Sequence, residues 1–324
     1  MKIVICDANL VPLRAHLEEG FPSGSEVSWA DPRDLETAVV GADVLVGSRC
    51  PASVAAAGTS LRLVHAAGAG VDGIDVAALP AGTIVANTFH HEDSIAEYVV
   101  AAAVLLRRGF LAQDAALRAD RWASPAYDPA QPWMHSLGAA TVGFVGFGHI
   151  GARTWERFRA FGARGVAVTR RGDVDAAAHG LEWSGTTDDL GTLLDRADVV
   201  VVSAPLTPET KGMIGVAELA RMKRGGVLVN VGRGPLVEEK ALYEALRDGD
   251  IAGAAIDVWY GYPTGGATAA PSELPFKELS NVLMTPHSSG MTRQTFMGRA
   301  ADIAANVRRL AAGEHLENVV AVAS

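Results

Sequence analysis

Residues 140–158 decide the fold, and they read ATVGFVGFGHIGARTWERF. The apolar first part predicts a buried strand, and the amphipathic last part predicts a helix. Three glycines in GxGxxG spacing separate the two. This order is typical of a dinucleotide site, because glycines let a pyrophosphate approach the helix N-terminus, whereas a purely structural turn is the alternative. The residues that we expect to contact a cofactor here are Gly146, Gly148, His149, Ile150 and Gly151.

The same alternation of strands and helices extends along the whole chain. The strand candidates are apolar at consecutive positions, as strands buried on both faces of a parallel sheet are. They cover residues 2–6, 42–47, 61–65 and 83–87, then 140–146, 165–169, 197–203, 225–231 and 253–258. We therefore predict the α/β class, with two Rossmann-like or flavodoxin-like domains that have parallel sheets and a cleft between them.

Length and composition narrow the classes of partner. A chain of 324 residues predicts two domains. The net charge of −9 argues against a nucleic-acid partner, since that affinity needs many cationic side chains. We expect no membrane partner and no signal peptide, and hence a cytoplasmic protein. Cys6 and Cys50 lack metal-ligand spacing, so we predict reduced thiols and no metal.

The strand that follows the glycine turn indicates which dinucleotide binds. An acid near its end would bind the ribose hydroxyl of NAD, whereas arginine accommodates a 2′-phosphate. The sequence there has Thr169, Arg170 and Arg171, and Asp173 comes slightly later. NADP(H) is therefore the favoured cofactor, with NAD(H) possible; the alternative is that both arginines belong to a solvated strand end.

Five further motifs resemble those of the D-2-hydroxyacid dehydrogenases. They are AAGAGVDGID (66–75), APLTPETKGMIG (204–215), VNVGRGPLVEEKALYEAL (229–246), GAAIDVW (253–259) and TPHSSG (285–290). The resemblance implies a flavodoxin-like substrate domain of residues 1–90 plus 290–324 and an NAD(P)-binding Rossmann domain of residues 91–289. It also implies a homodimer formed through the cofactor domain and the long helical segment near 95–119.

The resemblance implies roles for individual residues. Arg233 would bind the substrate and polarise its carbonyl, and His287 would be the acid or base; these residue types suit a developing alkoxide. Backbone amides that resemble a carboxylate cradle belong to Gly68, Ala69, Gly70 and Val71. Further cofactor contacts are expected at Ala204, Pro205, Thr210, Val231, Asp257 and Gly290.

Two parts of the sequence depart from the family pattern. His90 and His91 replace a usual proline-glycine turn, and they are either turn residues or contacts to an unusual, anionic part of the substrate. Most members carry a glutamate, the partner of the catalytic histidine, at the position where this chain has Tyr262. We expect the hydroxyl of Tyr262 to bind His287 or the substrate.

The predicted reaction is hydride transfer between a nicotinamide and a small 2-oxo or 2-hydroxy acid, with reduction favoured. The missing glutamate leaves a second interpretation, oxidation of a small anion such as formate or phosphite, because formate dehydrogenases have a neutral glutamine there. A third interpretation is a cofactor-sensing protein, since corepressors also resemble this family.

Overall fold

The computed structural model describes residues 1–264 and 266–324. It divides the chain into two compact units, one of residues Met1–His90 with Thr292–Ser324 and one of residues His91–Met291. Both units are built from parallel strands and flanking helices, which confirms the predicted α/β class.

The first unit has a six-stranded sheet with strand order β15-β7-β5-β3-β1-β2. All neighbours are parallel except β15 and β7, which are antiparallel. The short strands β4 and β6 form a separate parallel pair. The strands are β1 (Lys2–Ile5), β2 (Glu26–Trp29), β3 (Val44–Val46), β4 (Arg49–Cys50), β5 (Leu63–His65), β6 (Gly73–Ile74), β7 (Ile84–Ala86) and β15 (Val319–Val322).

A long C-terminal helix completes the core of the first unit. The helices of this unit are α1 (Arg14–Glu19), α2 (Leu35–Ala38), α3 (Ala52–Ala57) and α11 (Arg293–Ala312). The side chain of Thr292 caps α11, and Gly313 ends it in the left-handed conformation. Apolar residues at helical spacing, among them Phe296, Ile303 and Val307, pack in one cluster with strands β1 and β3.

The second unit has a fully parallel seven-stranded sheet with strand order β10-β9-β8-β11-β12-β13-β14. The strands follow one another in opposite directions on the two sides of the boundary between β8 and β11. In open sheets of this kind, ligands bind at such a boundary, beyond the carboxyl ends of the strands. The strands are β8 (Thr141–Val145), β9 (Arg164–Thr169), β10 (Trp183–Thr186), β11 (Val199–Val202), β12 (Val227–Asn230), β13 (Gly253–Ile256) and β14 (Val282–Met284).

Helices of the second unit cover both faces of its sheet, and a separate apolar cluster lies on each face. They are α4 (Glu92–Arg107), α5 (Phe110–Arg118), α6 (His149–Ala160), α7 (Ala176–His179), α8 (Leu190–Arg196), α9 (Val216–Arg221) and α10 (Glu239–Arg247). Gly109, with φ 61°, separates α4 from α5 inside the predicted helical segment. Among the helices that the structure describes, none has the length and apolarity needed to cross a membrane.

Candidate active site

The glycine turn lies between β8 and α6, at the carboxyl edge of the second sheet. Gly146 has φ 91°, and a methyl group on it would lie 2.7 Å from the Ala204 nitrogen, so only glycine fits. A methyl group on Gly151 would lie 2.9 Å from the Gly146 carbonyl oxygen. A methyl group on Gly148 would have no other heavy atom of the described chain within 4 Å. The turn is closed on its protein side and open at Gly148, where α6 begins.

The arginines at the end of β9 have different surroundings. Arg171 donates from Nε to Asp173 at 2.7 Å in an exposed ion pair. Arg170 is exposed. Hydrogen bonds from Thr207 and the backbone are the main causes of the lowered pKa of Glu209, and the charge of Arg170 adds to this effect. Thr169 accepts a bond from the Gly172 N–H at 3.0 Å, which holds the turn. Of these two arginines, Arg170 is therefore the one whose guanidinium has no hydrogen bond to a carboxylate within the described residues.

The loops after β11 and β12 carry the other predicted cofactor residues of this unit. Ala204 closes over Gly146, and Thr210 donates to the Pro205 carbonyl at 2.8 Å, which fixes the loop after β11. Val231 is buried, and its N–H donates to the Val202 carbonyl at 3.1 Å. β11 is adjacent to β8 in the parallel sheet, and β12 is adjacent to β11, so these residues lie at the same carboxyl edge as the glycine turn.

Arg233 follows β12 on a backbone turn that Asn230 holds from both sides. The Asn230 amide donates to the Arg233 carbonyl at 3.0 Å and accepts from the Gly232 N–H at 3.2 Å. A methyl group on Gly234 would lie 2.4 Å from the Trp259 carbonyl oxygen, so this turn packs tightly against the residues after β13. Arg233 is thereby fixed next to the segment that contains Tyr262.

Asp257, at the end of β13, organises the segment that carries His287. It is buried, and its carboxylate accepts four hydrogen bonds from residues after β14. The donors are Thr285 Oγ1 at 2.6 Å, Ser288 N at 2.9 Å, Ser289 N at 3.0 Å and Ser289 Oγ. Because four donors fill a carboxylate, this charge is fully compensated inside the protein. Sequence reasoning assigned a cofactor contact here and missed this positioning role.

His287 and Tyr262 form a hydrogen-bonded pair. Tyr262 Oη lies 3.2 Å from His287 Nδ1, and the same hydroxyl accepts a bond from the Trp259 N–H at 3.0 Å. Trp259 is itself buried and donates from Nε1 to the Thr285 carbonyl at 2.8 Å. His287 has φ 56°, a left-handed conformation that is uncommon outside glycine and that its surroundings must maintain.

The charges around His287 set its protonation. Partial burial lowers the pKa of the imidazole below its ordinary value; the Asp257 charge opposes this, and the Arg233 charge adds to it. Arg233 follows β12 and His287 follows β14, and β13 lies between these two strands in the sheet. The second sheet therefore brings Arg233, Tyr262 and His287 together at the carboxyl ends of neighbouring strands.

Two further predicted residues of the second unit, Gly290 and His91, pack against each other near the start of α4. A methyl group on Gly290 would lie 3.3 Å from the Cβ of His91. His91 precedes α4, and its carbonyl accepts bonds from the Ser94 hydroxyl and the Ile95 N–H. Gly290 thus permits the segment that follows His287 to pack closely on the beginning of this helix.

The predicted substrate residues of the first unit are the turn at 68–71 and His90. The Gly68 carbonyl accepts from the Thr88 N–H at 3.3 Å, and the Ala69 carbonyl accepts from the Asn87 amide at 2.8 Å. His90 has φ 66°, and its Nε2 lies 2.9 Å from Asp302. The imidazole of His90 thus contacts α11, and its role toward the substrate stays a prediction.

The geometry defines the class of protein, a two-unit α/β protein with a dinucleotide-type glycine turn and an arginine and a histidine at one sheet edge. Residues 100–289 match the family described as D-isomer specific 2-hydroxyacid dehydrogenase, NAD binding domain. A D-3-phosphoglycerate dehydrogenase of Mycobacterium leprae is 36% identical over 306 residues, which are 92% of this chain and 55% of that protein. The chain belongs to the D-isomer specific 2-hydroxyacid dehydrogenase family, which confirms the resemblance seen in the motifs.

Two further similar proteins are matched over a larger share of their own length. A glyoxylate reductase of Korarchaeum cryptofilum is 34% identical over 273 residues, which are 83% of this chain and 79% of that protein. The crystal structure of a D-isomer specific 2-hydroxyacid dehydrogenase from Xanthobacter autotrophicus, in complex with NADPH and MES, has a TM-score of 0.79 and 28% identity over 99% of this chain and 98% of that one. The chain spans about half the length of the phosphoglycerate dehydrogenases that it matches, at 55%.

Proposed function

We propose that this protein is an NAD(P)-dependent D-2-hydroxyacid dehydrogenase that interconverts a small 2-oxo acid and its D-2-hydroxy acid. The observation that carries the proposal is the placement of the glycine turn, Arg233 and His287 at the carboxyl edge of one parallel sheet. Family membership supports the same reaction class.

The glycine turn fits a dinucleotide. The open space at Gly148 admits a pyrophosphate, which the first N–H groups of α6, at His149, Ile150 and Gly151, would hold. The loops that contain Pro205 and Val231 would complete the binding surface. A bound reduced nicotinamide supplies the hydride that adds to C2 of the oxo acid.

Arg233 and His287 would act on the substrate oxygen. As C2 gains the hydride, the carbonyl oxygen becomes negative; the Arg233 guanidinium stabilises that charge, and the His287 imidazolium gives it a proton. In the oxidation direction neutral His287 removes the hydroxyl proton. Asp257 acts as a positioning residue, because it holds the segment 285–289 through four bonds.

Tyr262 would serve His287 in both protonation states. Its hydroxyl oxygen accepts from the Trp259 N–H, and its second lone pair can accept from Nδ1–H of the imidazolium. The same hydroxyl can donate to Nδ1 when the ring is neutral. A carboxylate would favour the charged ring alone, so we infer that the tyrosine holds the ring without raising its pKa.

The cofactor we favour is NADP(H). Support comes from Arg170, which stands at the end of β9, where the adenosine ribose is expected, and whose guanidinium no described carboxylate engages by a hydrogen bond. Arg171 is less suited, because Asp173 binds it at 2.7 Å.

We also propose a homodimer formed through the second unit. Support comes from residues 117–134, at the end of α5 and directly after it, where large apolar side chains are exposed. Trp133 is 84% exposed, and Trp122 stacks edge to face on the exposed Tyr127 with ring centroids 5.0 Å apart. Exposed aromatic side chains of this kind are enriched in protein interfaces.

An absorbance assay of the reduced nicotinamide tests the reaction. The protein is mixed with NADPH or NADH and a panel of 2-oxo acids, and separately with NADP or NAD and formate or phosphite. We expect oxidation of NADPH with at least one 2-oxo acid and a D-configured product on chiral chromatography. Turnover of formate or phosphite alone would show that the enzyme oxidises small anions instead.

A further inference from the structure

A tyrosine of α4 contacts the segment that carries His287. Tyr98 lies in α4, and its hydroxyl oxygen is 2.9 Å from Oγ1 of Thr285, which directly follows β14. The two residues are 187 positions apart in the sequence, but both belong to the second unit, so the contact is internal to that unit. Helical periodicity places Tyr98 on α4 without specifying this partner.

The direction of this hydrogen bond follows from the other partner of Thr285. The same threonine hydroxyl lies 2.6 Å from Oδ1 of Asp257. A hydroxyl carries one proton and an ionised carboxylate only accepts, so Thr285 donates to Asp257 and Tyr98 donates to Thr285. Burial and the Asp257 charge raise the pKa of Tyr98 to about 12, against the effect of the Thr285 bond. Tyr98 therefore keeps its proton and remains a donor at neutral pH.

Thr285 uses every polar group that it has. Its N–H donates to the Ile256 carbonyl at 3.1 Å, and its carbonyl accepts from Trp259 Nε1 at 2.8 Å. Its hydroxyl joins Tyr98 to Asp257. This threonine thus ties the chain just before the histidine to β13 and to α4 at once.

Asp257 holds the chain on both sides of His287. Thr285 Oγ1 donates to it from the preceding side, and the N–H groups of Ser288 and Ser289 donate from the following side at 2.9 and 3.0 Å. Between them His287 has φ 56°, a conformation that persists only where surrounding contacts maintain it. The bond from α4 is one member of this set of contacts, so it helps to hold the imidazole in place.

The same contacts influence the charges around the imidazole. Burial lowers the pKa of His287, the Asp257 charge raises it, and the Arg233 charge lowers it. Each donor on a carboxylate disperses part of its charge, so a lost donor lets the remaining charge act more strongly on the ring. The titratable groups described around this segment are Asp257, Arg233, Tyr262, Tyr98 and His91.

We propose that Tyr98 is a positioning residue whose hydroxyl, through Thr285 and Asp257, fixes the orientation and the charge surroundings of His287. This inference rests on the proposed function, in which His287 exchanges a proton with the substrate oxygen. Tyr98 acts through other side chains, so its loss should lower kcat and leave KM for the oxo acid unchanged.

Steady-state reduction of a 2-oxo acid by the intact enzyme tests this role. Y98F removes one neutral hydrogen bond and should lower kcat by about 3- to 10-fold, with KM within about twofold of the parent. T285V removes a bond to a charged group and should lower kcat by about 10-fold or more, whereas T285S keeps the hydroxyl and should stay within about threefold. The double variant Y98F/T285V should lose no more than T285V, because the tyrosine hydroxyl has no threonine acceptor there.

A second tyrosine of the same unit provides the matched control. The hydroxyl of Tyr260 donates to the Val237 carbonyl at 3.0 Å, so Y260F also removes one tyrosine hydrogen bond. Thermal unfolding of Y98F and Y260F measures what each bond contributes to stability. Y260F should keep the parental kcat. A kcat loss in Y260F equal to that in Y98F, additive losses in the double variant, or a parental kcat in a folded Y98F would overturn the role of Tyr98.

Nuclear magnetic resonance of the enzyme with ¹³C-labelled histidine gives a readout that does not depend on turnover. The His287 signal is assigned by its loss in H287Q. Its titration should move to higher pH in T285V and, by less, in Y98F, and it should not move in Y260F. Such shifts in an enzyme that reduces no 2-oxo acid would keep the positioning role and reject the proposed reaction. Reduction with parental kcat and parental titration in Y98F would keep the reaction and reject the role of Tyr98.

Discussion

Replacing Tyr262 by glutamate should raise the pH at which reduction of the oxo acid declines. In the proposed mechanism reduction needs the His287 imidazolium, so we expect kcat/KM to be constant below the pKa of this group and to fall as the pH rises through it. Partial burial lowers that pKa in the parent enzyme, which places the decline below the ordinary imidazole value of 6.5. A carboxylate near Nδ1 favours the charged ring and moves the decline upward.

The geometry gives the size of the shift. Tyr262 Oη lies 3.2 Å from Nδ1, and a glutamate side chain reaches about 2 Å less far, so the carboxylate would lie about 5 Å from the ring. Coulomb attraction at that distance is about 0.8 to 3.3 kcal/mol for effective dielectric constants of about 80 to 20, or about 0.6 to 2.4 pKa units. Since Tyr262 is 45% exposed, we expect the lower half of this range, about one unit.

The assay is a pH profile of kcat/KM for reduction, measured from about pH 5 to about pH 9. Tyr262→Phe is the matched control, because it keeps the ring and removes only the hydroxyl. It should lower kcat/KM by up to about tenfold, the value of one hydrogen bond, without moving the decline. A glutamate variant whose decline coincides with the parent's, or a phenylalanine variant equal to the parent at every pH, would refute the role given to this pair.

Four further substitutions test other parts of the structure. Asp257→Asn removes the charge that binds four donors, so the free energy of unfolding should fall by about 1 to 3 kcal/mol in urea titrations, together with kcat; unchanged values of both would contradict the positioning role. Gly146→Ala places a methyl group 2.7 Å from the Ala204 nitrogen at φ 91°, and it should abolish cofactor binding measured by calorimetry. Arg170→Ser should lower kcat/KM with NADPH by about 10- to 100-fold and leave NADH unaffected, and equal losses with both cofactors would reject the phosphate contact. Trp133→Glu should convert the dimer to a monomer in light scattering, whereas a parent enzyme that is already monomeric would reject the interface.

Local sequence pattern was sufficient for the glycine turn. The strand β8, the turn and α6 are contiguous, and the steric demand at Gly146 is a property of a few neighbouring residues. The parallel sheets were predictable for a similar reason, because burial on both faces leaves a continuous apolar run in each strand. The α/β class was therefore visible without any long-range information.

The contacts made by Asp257 and Arg299 were not predictable in this way. Asp257 binds residues about 30 positions further along the chain, and Arg299 meets Gly68 from the opposite end of the sequence. Helical periodicity places Arg299 on α11 but does not specify which loop faces it. The contact between Arg299 and Gly68 depends on the packing of α11 against β1 and β3, and that of Asp257 depends on the pairing of β13 with β14; only the folded structure supplies either.

The return of the chain to the first unit affects the order of folding during synthesis. Strands β1 and β3 share their apolar cluster with α11, and β7 pairs with β15, so this core lacks its last helix and an edge strand until residues 292–324 have emerged from the ribosome. Residues His91–Met291 are contiguous and can form their sheet earlier. Residues 1–90 therefore belong to a unit that is completed only after residues 91–291 have been made, and they must avoid aggregation during that time.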